Sequence, residues 1–168
     1  MGYQHYPISL SEAAEFTAEH HRHSKPLARH KFSIGAFATR NPGLYEHLEL
    51  VGVVSVNACS SAWSKDVTKV WYGDDQNIAR CEIVRLAVTE DEDNKNLCSF
   101  LYSKALQACF AMGYEEVVTY TRKYESGSSI KAAGFIQHEW LENPNVNMWI
   151  KRRPIKKTLT TSTVKQAA

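Results

Sequence analysis

Residues 81–121 read CEIVRLAVTEDEDNKNLCSFLYSKALQACFAMGYEEVVTYT, and this stretch decides the fold. CEIVRLAV at 81–88 is a short, largely apolar run bounded by turn residues, the pattern of a well-buried strand. The acidic TEDEDNKN that follows is turn chemistry. From Leu97 to Met112 apolar residues recur at Leu97, Phe100, Leu101, Ala105, Ala108, Cys109 and Met112, the spacing of a one-sided helix that Gly113 stops. VVTYT at 117–121 reads as a second strand. Strand, helix and strand in immediate succession imply a parallel pair joined by a right-handed crossover.

The flanks read as antiparallel structure. Upstream, KFSIGAF at 31–37 alternates as a strand, TRNPGLY at 39–45 is a turn, and LELVGVVSV at 48–56 is a buried strand, so the two strands form a hairpin. Before them, Ser9 or Ser11 caps a helix that runs to about Glu19, with Glu12 and Glu15 near its positive end. Pro26 forbids a simple continuation of that helix. Downstream, a short helix at 128–133 stops at Gly134, and strands at 135–140 and 147–151 flank a turn at 143–145. Residues 57–78 are polar and irregular, with aromatic insertions at Trp63, Trp71 and Tyr72. The class is α/β in the mixed, α+β sense: a mostly antiparallel sheet with a central parallel pair, flanked by helices. Residues 1–153 form one domain, and 154–168 are a basic, Thr-rich, mobile tail.

Composition narrows the class. A chain of 168 residues, 43% of them hydrophobic, buries one ordinary core. No run approaches the ~20 apolar residues that cross a bilayer, so no membrane partner is expected. The N-terminal stretch lacks the apolar region of a signal peptide, and the expected location is the cytoplasm. Cys59, Cys81, Cys98 and Cys109 form no CxxC pair and read as free thiols. The net charge of +2 is too small to imply nucleic acid by itself. Nothing in the pattern specifies an oligomeric state.

CEIVRLAV, the acidic turn, NLCSFLYSKALQACFAMGY, EEVVTYT and SSIKAAGF together resemble the GNAT (GCN5-related N-acetyltransferase) superfamily. They correspond to its central strand, cofactor loop and helix, the following strand, and the short helix ending in a Gly-Phe pair. HHRHSKP…HKFSIG and TYT…ESGSSIKAAGF resemble a bacterial and phage branch, distantly similar to Mom-type DNA-adenine modification proteins. The resemblance implies transfer of an acyl-type group from acetyl-CoA or a related acyl-CoA to an amine, with a nucleobase amine in DNA or RNA as the favoured acceptor. A small-molecule or protein amine is the alternative, and a non-catalytic module that binds nucleic acid or a partner is a further one.

By the same resemblance the strands splay after Val88 to admit the donor. Leu86, Ala87 and Val88 would line its path, and Lys95, Asn96, Leu97, Cys98 and Ser99 would hold its pyrophosphate at a helix N-terminus. Asp93 stands where the family has a basic or amide residue, and Asn96 and Cys98 where it has glycines. The acidic run 90–93 opposes a phosphate, so donor affinity is expected to be weak. Glu82 matches the glutamate that deprotonates the attacking amine; its other reading is a strand-edge carboxylate paired with Arg85 or a neighbouring lysine. The family's general-acid tyrosine falls at Ile130, which leaves Tyr124 or Tyr120 to supply that proton.

Acceptor contacts are expected from His20, His21, His23, Lys25, His30 and Lys31, with Arg85 and Ser126 completing the set. The histidine-rich segment is an exposed loop, an acceptor site or a metal site, although its spacing is no recognised zinc set. The tryptophans and Tyr72 either stack on a base or fill the core.

Overall fold

The computed structural model describes residues 2–20, 27–40, 47–59, 78–90, 96–138 and 145–154. The expected roles of His21, His23, Lys25, Lys95, Trp63, Trp71 and Tyr72, the acidic turn at 91–93 and the tail after Pro154 lie outside those residues. In chain order the elements are β1 (Gln4–Ile8), α1 (Leu10–His20), β2 (Phe32–Arg40), β3 (His47–Ala58), β4 (Arg80–Val88), α2 (Leu97–Ala111), β5 (Glu116–Arg122), α3 (Ser128–Ala132), β6 (Ile136–His138) and β7 (Val146–Arg152). The strands make one sheet in the order β1-β2-β3-β4-β5-β7-β6. Every pairing is antiparallel except the central β4–β5 pair, which is parallel. Among the described residues no helix is long and apolar enough to cross a membrane.

Strand alternation explains the two layers. On β3, Val54 and Val56 pack with Leu101, Ala105 and Cys109 of α2. Val53, facing the other way, packs with Ala13 and Phe16 of α1, Leu27 and Ala87. One strand buried on both faces reads as a continuous apolar run, which is what LELVGVVSV is. Of the two serines that could cap α1, Ser9 does so. Its hydroxyl and backbone N–H donate to the Glu12 carboxylate at 2.7 and 2.8 Å, and the Glu12 N–H donates back to the hydroxyl at 3.2 Å.

β1 is an addition to the expected order. QHYPI carries no alternating apolar pattern, and four of its five residues are exposed. It forms because the edge of β2 offers a full register of partners, from Gln4↔Phe37 to Ile8↔Ser33. The four cysteines are free thiols. A hydrogen bond with Cys109, then burial, push the Cys81 thiol far above its ordinary range, so it stays protonated in the core.

The end of the sheet where β4 and β5 begin carries a buried ion cluster. Glu116 is 1% exposed and accepts from Arg80 Nε at 2.6 Å and Arg152 Nε at 3.1 Å. His138 lies close enough to feel all three charges. Burial holds its imidazole below the ordinary range; Glu116 acts in the opposite direction, and Arg152 and Arg80 add to the lowering. A lowered folded value means that the unfolded chain binds the proton more tightly. Stability is therefore complete above the unfolded value of about 6.5 and is lost as pH falls from there through the lower folded value. Urea midpoints should drop between about pH 7.5 and 5.5 in the wild type and drop less in His138→Gln. Equal drops in both proteins would dissociate His138 from the acid response.

Candidate active site

The parallel ladder between β4 and β5 is short. It runs from Arg80↔Glu116 to Ile83↔Thr119 and stops, while β4 continues beside β3 and β5 beside β7. The splay therefore opens after Ile83, five residues earlier than the Val88 expected from the resemblance. The cause is local. The β3–β4 register passes from Val56↔Ile83 to Ser55↔Arg85 and skips Val84, a bulge that bends β4 away. Two side chains satisfy the carbonyls at the break. Thr119 Oγ1 donates to the Ile83 carbonyl at 3.0 Å, and Arg85 Nη1 to the Val84 carbonyl at 2.7 Å. Residues 84–88 keep one backbone edge with no strand beside it among the described residues.

Between the parted strands lies a cleft of about 390 Å³. Alternation divides its lining. Thr119 and Thr121 point toward α2, where Tyr102 bonds Thr119 and Trp149 Nε1 donates to Thr121 Oγ1 at 2.9 Å. Val118 and Tyr120 point the other way, into a cluster with Met148 and Ile150. Burial pushes the Tyr102 phenol well above its usual range, so it stays protonated. Cys98 lines the α2 side, where burial raises its thiol and a hydrogen bond with Ser129 partly opposes that rise.

The wall past β5 is residues 125–130, and Gly127 is its pivot. Its φ is +62, and a Cβ there would clash with Cζ2 of Trp149, a side chain 1% exposed. Only glycine lets this loop lie against the indole. A second cavity of about 260 Å³, bounded by Asn96–Ser99 and by Ser128, Ser129 and Ala132, shares Cys98 and these serines with the cleft. Asn96 precedes α2 in the left-handed region, φ 65 and ψ 4, a conformation asparagine tolerates better than most residues. It thus keeps the backbone path that a glycine would give. Ser99 Oγ donates to the Asn96 carbonyl at 2.9 Å.

Glu82 is half-buried on β4, opposite Asn57 of β3 and Val118 of β5. Its neighbours Cys81 and Ile83 pack toward α2, so Glu82 faces the other side, the side of Tyr120. Arg85 and Ser126 line the cleft with Tyr120. Leu86 lines it as well, whereas Ala87 is buried under α1 and Val88 packs toward α2. Tyr124 is 74% exposed and is not part of the cleft lining, and Ile130 is buried in the core.

The basic cluster is divided in space. His20 stacks on Phe16 with ring centroids 4.3 Å apart. His30 Nδ1 is 2.6 Å from Ser33 Oγ, which is 2.7 Å from Ser55 Oγ, a polar chain whose two serines are buried. Lys31 instead lies over the Tyr114 ring at 5.5 Å, near the far end of α2. Sequence reasoning passed over Ser33, Ser55, Thr119, Thr121, Arg122 and Gly127. Hydroxyls at alternate positions of otherwise apolar strands were the available signal.

Solved structures share this architecture. NAA60 of Arabidopsis thaliana in complex with acetyl-CoA matches with TM-score 0.65 and 13% identity over 90% of this chain and 98% of its own. The chain has the GNAT fold. A Bacillus subtilis acetyltransferase in complex with CoA matches at TM-score 0.59 and 13% identity, over 91% of this chain and 100% of that one. PaiA N-acetyltransferase of Thermoplasma acidophilum, in complex with coenzyme A, matches at 0.57 and 15%, over 91% and 100%. No protein-family model matches the sequence, and no curated protein does. The narrower resemblance to Mom-type proteins gains no support from these comparisons. In this GNAT fold the bulged β4 and the splay border the cleft, and the start of α2 borders the cavity that adjoins it through Cys98, Ser128 and Ser129.

Proposed function

We propose that this chain is an N-acyltransferase that takes an acyl group from a CoA thioester and gives it to an amine. The observation that carries the reading is the splay itself, where no strand lies beside residues 84–88 among the described residues, the start of α2 borders the adjoining cavity and the Glu82 carboxylate stands on β4 just before the opening. Three of the structural matches were solved with acetyl-CoA or CoA, which supports the same donor here. The residues present fit it. The β4 backbone past Ile83, where the ladder with β5 has ended, suits the amides of a pantetheine arm, and the first N–H groups of α2 suit a pyrophosphate. When bound, the thioester supplies the activated carbonyl. Glu82 then draws a proton from the acceptor ammonium, directly or through water, because only the free amine is nucleophilic. Since Ile130 occupies the family's tyrosine position, Tyr120, whose hydroxyl-bearing side chain lines the cleft on the Glu82 face, is the residue assigned to return a proton to the departing thiolate. An acyl-CoA donor agrees with the cytoplasmic location read from the sequence.

A nucleobase amine in DNA or RNA enters this reading only through the sequence resemblance. In the described part of the basic cluster, His20, His30 and Lys31 are engaged with Phe16, Ser33 and Tyr114, which favours packing over a nucleic-acid surface. Ile130 favours a second reading, a non-catalytic module that keeps the fold and the groove. Calorimetric titration tests the donor site. Acetyl-CoA should bind, and Gly127→Ala should weaken it, because a left-handed alanine costs about 1–2 kcal/mol before the clash with Trp149 is counted. Absence of heat with acetyl-CoA and with CoA would remove the acyl-transfer reading.

A further inference from the structure

The two mouths of the splay differ in charge. On the α2 side lie Cys98, Tyr102 and Thr121, and Glu125 is close enough to influence the Tyr102 phenol. The opposite mouth has another character. Arg85 is the cross-strand partner of Ser55, on the face of Val53 and α1, and Arg122 follows Tyr120 by two residues on β5, which puts both on one face. Both guanidinium side chains line the cleft, as Tyr120 does, and Glu82 shares their face.

We propose that the acceptor is a small amine that also carries a carboxylate or phosphate, with that anion received by Arg122 and Arg85 while its amine meets Glu82. The inference rests on the acyl-transfer reading and names the class of substrate for the same site. A guanidinium fork matches either anion with two parallel hydrogen bonds. Arg85 is held in place by its bond to the Val84 carbonyl, so little side-chain freedom is lost on binding. Arg122 is anchored at its backbone, where the Glu125 carboxylate accepts its N–H at 2.7 Å. The same two cations disfavour polyamines and basic peptides, whose remote charges would meet like charge. Size points the same way. The acceptor shares a cleft of about 390 Å³ with the donor arm, which leaves room for a compact molecule.

Matched pairs of acceptors test this with the full chain and acetyl-CoA. L-phenylalanine is compared with L-phenylalaninamide, and O-phosphoethanolamine with ethanolamine, the first pair reading a carboxylate and the second a phosphate. Spermidine and a single-stranded oligodeoxynucleotide complete the panel. In at least one pair the anionic member should have kcat/KM about tenfold or more above its neutral partner, and added salt should shrink the ratio. Arg122→Gln should collapse that ratio toward one, and Arg122→Lys should restore part of it. Arg122 is exposed at a strand end, and a thermal melt confirms that the variants are folded. Equal or inverted preference in both pairs, no turnover with any of the four, or faster modification of spermidine or the oligonucleotide would overturn the inference. CoA titration of the same sample separates the failures. Binding without an anion preference overturns this inference alone, and absence of binding overturns acyl transfer itself.

Discussion

Glu82→Gln should lower kcat for acyl transfer by about 10²–10⁴-fold, the usual contribution of a positioned general base. An amine acceptor arrives largely as its ammonium form at neutral pH, and that proton must leave before nitrogen can attack a carbonyl. Glu82 stands on β4 just before the bulge that opens the splay, facing the side of Tyr120 and half-shielded from water. Glutamine keeps its volume and shape while losing the ability to take a proton. The strand pairs on either side, with Asn57 and Val118, should therefore persist. Rate measurements across pH should show the acid limb of kcat/KM disappearing in the variant. A variant that transferred at the wild-type rate would leave Glu82 as a strand-edge carboxylate and nothing more.

Glu116→Ala should cost about 3–5 kcal/mol of stability, the penalty for leaving a buried charge without its partner. Arg80 is the reason. Its side chain is 6% exposed, and Glu116 is the carboxylate bonded to its Nε. Glu116 is also the first residue of β5 and pairs with Arg80 across the parallel ladder and with Arg152 across the antiparallel one. One carboxylate thus ties three strands together where the splay is closed. Arg152, 50% exposed in its side chain, can return to water, so Arg152→Ala should cost no more than about 1 kcal/mol. Urea denaturation compares the variants. Replacing Arg80 and Glu116 together by Met and Leu should recover much of the single-variant loss, because the desolvation cost disappears with both charges. A loss below about 1 kcal/mol for Glu116→Ala would mean that the cluster is solvated and does not brace the sheet.

Much of the architecture was legible because it is written in local periodicity. The span 81–121 announced strand, helix and strand, and the structure has β4, α2 and β5 within a residue or so of the expected bounds. The hairpins followed from alternation and turn residues. β1 was not legible. Its residues are mostly exposed and unpatterned, and only the waiting edge of β2 makes them a strand. The position of the splay was not legible either. The residues that set it, Val84, Thr119 and Arg85, act through a cross-strand register that no single segment carries.

The candidate site divides along the same line. Glu82 could be named from its place in EIVRLAV, and Asn96 adopts the left-handed conformation that a glycine there would favour. His30 and Lys31 adjoin in sequence and read as one basic patch, yet one ends beside Ser33 and the other over Tyr114. Arg85 and Arg122, far apart in sequence, line one cleft because two strands diverge around it. By itself the sequence determined which segments become strands and helices, since apolar spacing and turn chemistry are properties of neighbours along the chain. Which side chains share the cleft, where it opens and what charge its mouths carry were decided only by the tertiary structure. Those depend on register and on the alternation of faces, where a shift of one residue exchanges the inside for the outside.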